Sequence, residues 1–143
     1  ARFEFFQKTP PVILDAAHND DSIQKLTENL QELYAKNEVI IITSFLETKD
    51  FSSVFSKLEK ISDKIYITSL KNIVYGLTSL EIKEKMISLG IPLKNIIFED
   101  DILTAYREAL TLIKEEDSYR AIVICGSFYE ISKFRTLISE NNM

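Results

Sequence analysis

"PVILDAAHNDDSIQKLTENL", residues 11–30, changes its period halfway along. Val12, Ile13 and Leu14 run without alternation, as a strand buried on both faces does. Then Ile23, Leu26, Leu30 and Leu33 recur at i, i+3, i+7 and i+10, the spacing of an amphipathic helix, with Asn19, Asp20, Asp21 or Ser22 placed to cap it. A buried strand, a short polar loop and a helix make the repeating unit of a parallel α/β sheet. The same grammar recurs downstream. Strand-like runs stand at 38–45 (EVIIITSF), 64–69 (KIYITS), 95–100 (NIIFED) and 120–126 (RAIVICG). Helical spacing follows each: Phe51, Val54, Phe55 and Leu58 after Asp50; Leu80, Ile82, Met86, Ile87 and Leu89, stopped by Gly90 and Pro92; Ile102 through Ile113; and Ile131 through Ile138. A further run at 2–6 (RFEFF) alternates and lies too close to the next strand for a helical crossover, which predicts an antiparallel edge strand. The expected order is β-β-α-β-α-β-α-β-α-β-α. It describes an α/β, doubly wound, mostly parallel six-stranded sheet with helices on both faces.

Composition narrows the function. A chain of 143 residues, 45% hydrophobic, is sized for one domain burying roughly two thirds of its unfolded surface. Acidic residues exceed basic ones, 22 to 17, so nucleic acid is not the expected partner. No apolar run approaches the ~20 residues of a membrane span, so no membrane is expected either. Cys125 is the single cysteine; it excludes an intramolecular disulfide and fits a cytoplasmic setting.

In open α/β sheets ligands sit beyond the carboxyl ends of the strands, where loops enter helix N-termini. Five loops qualify. The first, DAAHNDDS, carries the single histidine, His18, between Asp15 and Asn19. On residues alone two readings stand: a histidine bonded to a neighbouring carbonyl beside a helix cap, or one that faces a ligand. One histidine without a Cys/His cluster makes no metal site. Lys49 and Asp50 end the second loop, where an isolated pair reads first as a solvated lysine and a helix cap. Gly126 and Ser127 follow the last strand; glycine permits close backbone approach, and serine can cap a helix or bind phosphate. Asp100 and Asp101 read as caps or as Mg²⁺ ligands. Cys125 reads as a small buried hydrophobe. No GxxxxGK[ST] phosphate loop is present.

Together "RFE" at 2–4, "PVILDAAHNDDS" at 11–22, "SFLETKD" at 44–50 and "VICGSFYEISKFR" at 123–135 stand in a familiar order. Over essentially its whole length the chain resembles the C-terminal domain of the folylpolyglutamate synthase/dihydrofolate synthase family, within the Mur ligases. The resemblance implies a Rossmann-like domain spanning 1–143. It implies a partner, an N-terminal ATPase domain of the same polypeptide that supplies the P-loop, the Mg²⁺ ligands and a carbamylated lysine. ATP would phosphorylate the carboxylate of dihydropteroate or a folate, and the amine of L-glutamate would attack the acyl phosphate. By the same resemblance Asp15, His18 and Asn19 approach the nucleotide, Lys49 and Asp50 face the interdomain cleft, and Ser127 shapes it. Three departures bear on these roles. Ala16 stands where the family often has glycine; Ser44 and Thr48 replace a glycine and an aspartate in the second loop; and the third loop, with Tyr75 before Gly76, lacks the family's arginine. The isolated domain is expected to be inactive. The competing expectation is a freestanding flavodoxin-like binding module whose acidic loops, Asp100 and Asp101 above all, take a metal or a regulatory partner.

Overall fold

The computed structural model describes residues 2–47 and 50–141. Six strands, β1 (Glu4–Lys8), β2 (Pro11–Asp15), β3 (Val39–Thr43), β4 (Lys64–Ile67), β5 (Ile96–Phe98) and β6 (Ala121–Cys125), form one sheet in the order β1-β2-β6-β3-β4-β5. β1 pairs antiparallel with β2, and every other pairing is parallel. The five helices are α1 (Asp20–Leu33), α2 (Phe51–Glu59), α3 (Ser79–Ser88), α4 (Ile102–Glu115) and α5 (Phe128–Glu140). This is the doubly wound order read from the sequence.

Alternate residues of the central strands feed two cores. Ile13, Ile41, Ile65 and Val123 pack with Ile23 and Leu26 of α1, Val54 and Phe55 of α2, and Ile82 and Met86 of α3. Leu14, Ile42, Tyr66 and Ile124 pack on the opposite face with Ala105 and Tyr106 of α4 and Ile131 and Phe134 of α5. A strand buried on both sides needs no polar alternation, which is why these runs are nearly pure Val and Ile. β6 lies between β2 and β3, yet its helix goes to the face opposite α1 and α2. The helices therefore change face on both sides of β6, the kind of switch point beside which open α/β sheets bind their ligands.

Several boundaries differ from the sequence reading. β1 lies two residues later than 2–6: Phe3 takes a φ of 48°, outside strand geometry, and within the strand a bulge between Phe5 and Gln7 goes with an exposed Phe5 and a Phe6 packed against the second core. β3, β4 and β6 stop before the ends of their runs, where the hydroxyls of Ser44 and Ser69 and the turn at Gly126 take over. α3 buries Ile82 and Met86, whereas Leu80, Ile87 and Leu89 of its expected apolar face are more than half exposed. A short 3₁₀ turn, Lys36–Glu38, precedes β3 unforeseen. Among the described residues no helix is long and apolar enough to cross a membrane.

Candidate functional site at the carboxyl ends of the strands

Asp15 ends β2 and holds the first loop by backbone amides. Its Oδ1 accepts from Ala17 N–H and its Oδ2 from Phe3 N–H, each at 2.9 Å. One carboxylate thus ties the loop to the segment entering β1. His18 is exposed; its N–H donates to Ser22 Oγ at 3.0 Å and its Nδ1 lies 3.1 Å from the Ala16 carbonyl. A carbonyl only accepts, so in this contact Nδ1 carries the proton, and the ring's Nε2 edge is turned away from Ala16. The bond to a neighbouring carbonyl is present, and the ring is exposed. Asn19 is the α1 cap. Its Oδ1 accepts from Ser22 N–H at 2.8 Å while Asn19 N–H donates to Ser22 Oγ at 3.1 Å, a reciprocal capping box.

The first loop is joined to α2. Asp20 pairs with Lys57 at 2.8 Å and accepts from Ser53 Oγ, and these two hydrogen bonds, Lys57's first, hold its carboxyl below the usual range. Asp50 caps α2 by accepting from Ser53 N–H at 3.2 Å. Lys49 lies outside the described residues.

Gly126 brings the pieces together. It adopts φ +114°, and a Cβ there would stand 2.2 Å from Thr43 Oγ1 and 2.6 Å from the Ser44 carbonyl. Only glycine fits. Its N–H donates to the Ala17 carbonyl at 3.0 Å, so the turn after β6 is wedged between the first two loops. Ser127, buried, caps α5 by accepting from Glu130 N–H at 3.0 Å. The third loop docks on the second: Glu47 N–H donates to the Tyr75 carbonyl at 2.7 Å and Leu77 N–H to the Phe45 carbonyl at 3.2 Å. Tyr75 and Val74 stand exposed at its tip.

Beside the first loop, between α1 and the residues entering β1, is an open groove of about 520 Å³. Asp15, Asn19 and Asp21 supply its acidic and amide groups, Arg2 and Lys25 its cations, and Phe3 an apolar wall. Arg2 and Lys25 carried no role in the sequence reading; the only signal was the "RFE" at 2–4, which becomes meaningful once β1 is paired beside Asp15. Asp100 and Asp101 are each engaged by donors of the chain itself. Asp101 caps α4, accepting from Thr104 N–H at 2.9 Å. Asp100 accepts from Ser69 Oγ and from Ser79 Oγ at 2.7 Å and pairs with Lys71 at 3.5 Å; the two serine hydroxyls, Ser69's first, lower its pKa. Among the described residues no group of three His, Cys, Asp or Glu side chains could hold a metal ion.

Comparison with known proteins gives a consistent picture. The family described as Mur ligase, glutamate ligase domain, matches residues 1–128. The dihydrofolate synthase/folylpolyglutamate synthase of Buchnera aphidicola subsp. Acyrthosiphon pisum is 29% identical over 136 residues, covering 95% of this chain and 31% of that protein. The Bacillus subtilis protein of the same name is 28% identical over 134 residues, covering 94% of this chain and 29% of its own length. The chain therefore spans about a third of the curated relatives it matches. Among solved structures, Escherichia coli FolC in complex with ADP superposes with a TM-score of 0.77 at 23% identity, over 96% of this chain and 31% of that one. The Mycobacterium tuberculosis folylpolyglutamate synthase complexed with ADP and AMPPCP gives 0.76 at 22% identity, over 99% and 33%. At these identities the structures share the fold.

Proposed function

This chain belongs to the family of Mur ligase glutamate ligase domains, and on that premise we propose that it is the C-terminal domain of an ATP-dependent ligase that joins L-glutamate to dihydropteroate or a folate. A carboxylate oxygen of the acceptor attacks the terminal phosphorus of ATP and ADP leaves. The glutamate amine then attacks the acyl carbon, loses a proton, and phosphate departs with the amide formed. The relatives' names as dihydrofolate and folylpolyglutamate synthases support this reading, as does an ADP-bound neighbour of the same fold. The work takes place in the cytoplasm, with an N-terminal ATPase domain of the same polypeptide as partner. Mg²⁺ would supply charge neutralisation on the phosphates, with its ligands mostly in that domain, and a neighbour of the same fold complexed with AMPPNP and Mn supports a divalent ion beside the nucleotide.

The carrying observation is the wedge of Gly126 against the first loop, whose Asp15 and Asn19 line a groove bearing both signs of charge; it supports a ligand-facing role for that loop, His18 included. Asp15 keeps lone pairs for ribose hydroxyls beyond the two amides it already accepts from. His18 presents its ring from the rim to the nucleotide. Asn19 holds the loop through the capping box. Lys49 and Asp50 are assigned to the substrate or interdomain cleft by the family resemblance, Lys49 as a cation suited to a phosphate or the glutamate carboxylate, and Ser127 is assigned the shaping of that cleft through its cap.

The 143 residues alone are expected to show no folate-dependent ATP turnover, since cross-domain contacts leave little surplus after association costs. Joined to an upstream ATPase domain, turnover is expected, with His18→Ala lowering kcat/KM far more than Cys125→Ala. Equal losses in the two variants remove His18 from the site. Turnover by the isolated domain overturns its assignment as a partial enzyme.

A further inference from the structure

Glu130 sits in the first turn of α5, three residues past the cap Ser127, and is wholly buried. Ser-x-x-Glu at a helix start normally returns the glutamate to the cap's own amide. Here the side chain goes to the sheet instead. Its Oε2 accepts from the Thr68 hydroxyl at 2.6 Å, and its Oε1 has no hydrogen-bond partner. Thr68 follows β4 and opens the third loop. Its carbonyl accepts from Ser44 Oγ at 2.6 Å, and its N–H donates to the Thr43 carbonyl at 2.9 Å. One carboxyl group therefore connects α5 to the ends of β3 and β4.

The groups around it do little for a negative charge. From the strands Thr68 and Ser44 offer hydroxyls, Ser44's already given to a carbonyl. From α5 itself Lys133 is near, but its Nζ donates to the Ser69 carbonyl at 2.8 Å. At the start of α4 the Asp101 carboxylate shares the field of Lys133, and past Ser69 Asp100 pairs with Lys71. Burial pushes the Glu130 carboxyl up to about 7, against the lesser pulls of the Thr68 hydroxyl and the Lys133 ammonium. A buried carboxylate with one hydroxyl donor is costly, and moving toward water relieves that cost.

We propose that Glu130 is a proton-dependent positioning residue of the carboxyl-end rim: protonated, it fastens the first turn of α5 to Thr68, and on giving its proton to solvent it swings outward and loosens both that turn and the third loop. The inference concerns the chain's own loops and holds whatever the rim binds.

Amide chemical shifts and hydrogen exchange of the 143-residue chain, followed from about pH 5 to about pH 9, test it. The amides of Thr68, Ser69 and Leu70 and those from Ser127 to Ile131 are expected to share one midpoint near 7, the value to which burial raises Glu130. Exchange at Leu70 and Leu77, corrected for its intrinsic pH dependence, is expected to rise about tenfold across that midpoint. In Glu130→Gln both the midpoint and the rise vanish. Thr68→Val, which removes the one donor that favours the charged form, moves the midpoint upward and serves as the second variant should Glu130→Gln not fold. Titration of Glu130 below about pH 5, a common midpoint without a change in exchange, a rise that persists in Glu130→Gln, or a midpoint that stays or falls in Thr68→Val each overturns the proposal.

Discussion

Two strand-to-helix turns lie side by side at the carboxyl edge, and they are built on opposite terms. The turn after β2, from Asp15 to Ser22, has its tip from His18 to Asp21 exposed, and its polar side chains are engaged: Asp15 on the Ala17 and Phe3 amides, Asp20 on Lys57 and Ser53, Asn19 and Ser22 on each other. The turn after β6, from Gly126 to Glu130, has its glycine, serine and glutamate buried, with a glycine pressed against β3's end and a carboxyl only half partnered. The first turn is anchored to Phe3, Lys57, Ser53 and Gly126 with its polar groups met, and it leaves His18 and Asn19 exposed on its outer side. The second holds the loops in place, and its cost is paid in conformational freedom and in an unsatisfied oxygen.

The sharpest way to break that comparison is at Gly126. Gly126→Ala would put a methyl within 2.2 Å of Thr43 Oγ1 and 2.6 Å of the Ser44 carbonyl, in a backbone conformation alanine avoids. It is expected to cost about 3 kcal/mol or more in urea unfolding, at the upper end for a single substitution. Gly90→Ala is the control. It also has a positive φ, +73°, but nothing lies within 4 Å of the added Cβ, so only the conformational term of about 1 kcal/mol applies. Equal losses at the two glycines would falsify the wedge.

Next in size is the pH dependence of stability that Glu130 imposes. Its carboxyl is raised from 4.5 to about 7 in the folded chain, so between those values the native state holds more proton than the unfolded state. Stability from this group is therefore complete below pH 4.5 and is lost as pH rises through about 7. The full swing is about 3 kcal/mol at 1.36 kcal/mol per unit. Asp20 and Asp100 act oppositely and elsewhere: their lowered carboxyls lose stability only as pH falls below the ordinary 3.8. Urea midpoints compared near pH 5 and near pH 8 read the Glu130 term, and Glu130→Gln should flatten that interval. A wild-type chain with the same midpoint at both ends contradicts it.

The contrast between the turns also explains what was legible in the sequence. Helix caps could be read because each closes on an amide three residues away: Asp50 and Ser127 singly, Asn19 as one of four candidates from Asn19 to Ser22, and Asp101 as one of two adjacent acids. The sheet could be read because two-sided burial writes itself as unbroken Val and Ile. Boundaries were less legible, since Ser44 and Thr68 continue a β-like run while their hydroxyls and backbone serve other partners. The face of α3 was misjudged for a related reason: Leu80, Ile87 and Leu89 have helical spacing, but the sheet beneath reaches only Ile82 and Met86. Glu130 could not have been found, because what singles it out is Thr68, 62 residues earlier in the chain. Arg2 and Lys25 were missed likewise, as no local pattern places them beside Asp15.

The smallest effect belongs to the satisfied turn. Asn19→Ala removes the side chain that accepts from Ser22 N–H, and with it half of the capping box. Because the turn is exposed, the amide left behind turns to water, and the expected loss is about 1 kcal/mol, within the ordinary range for a cap. Asn19→Asp should recover nearly all of it, since a carboxylate accepts the same bond and favours the helix N-terminus. Hydrogen exchange should locate the loss in the first turn of α1, leaving the amides after β6 unchanged. If exchange instead rises at Gly126 and Ser127, then the Gly126 contact with Ala17 carries strain from one turn to the other, and the two are one mechanical unit rather than a settled wall beside a loaded one.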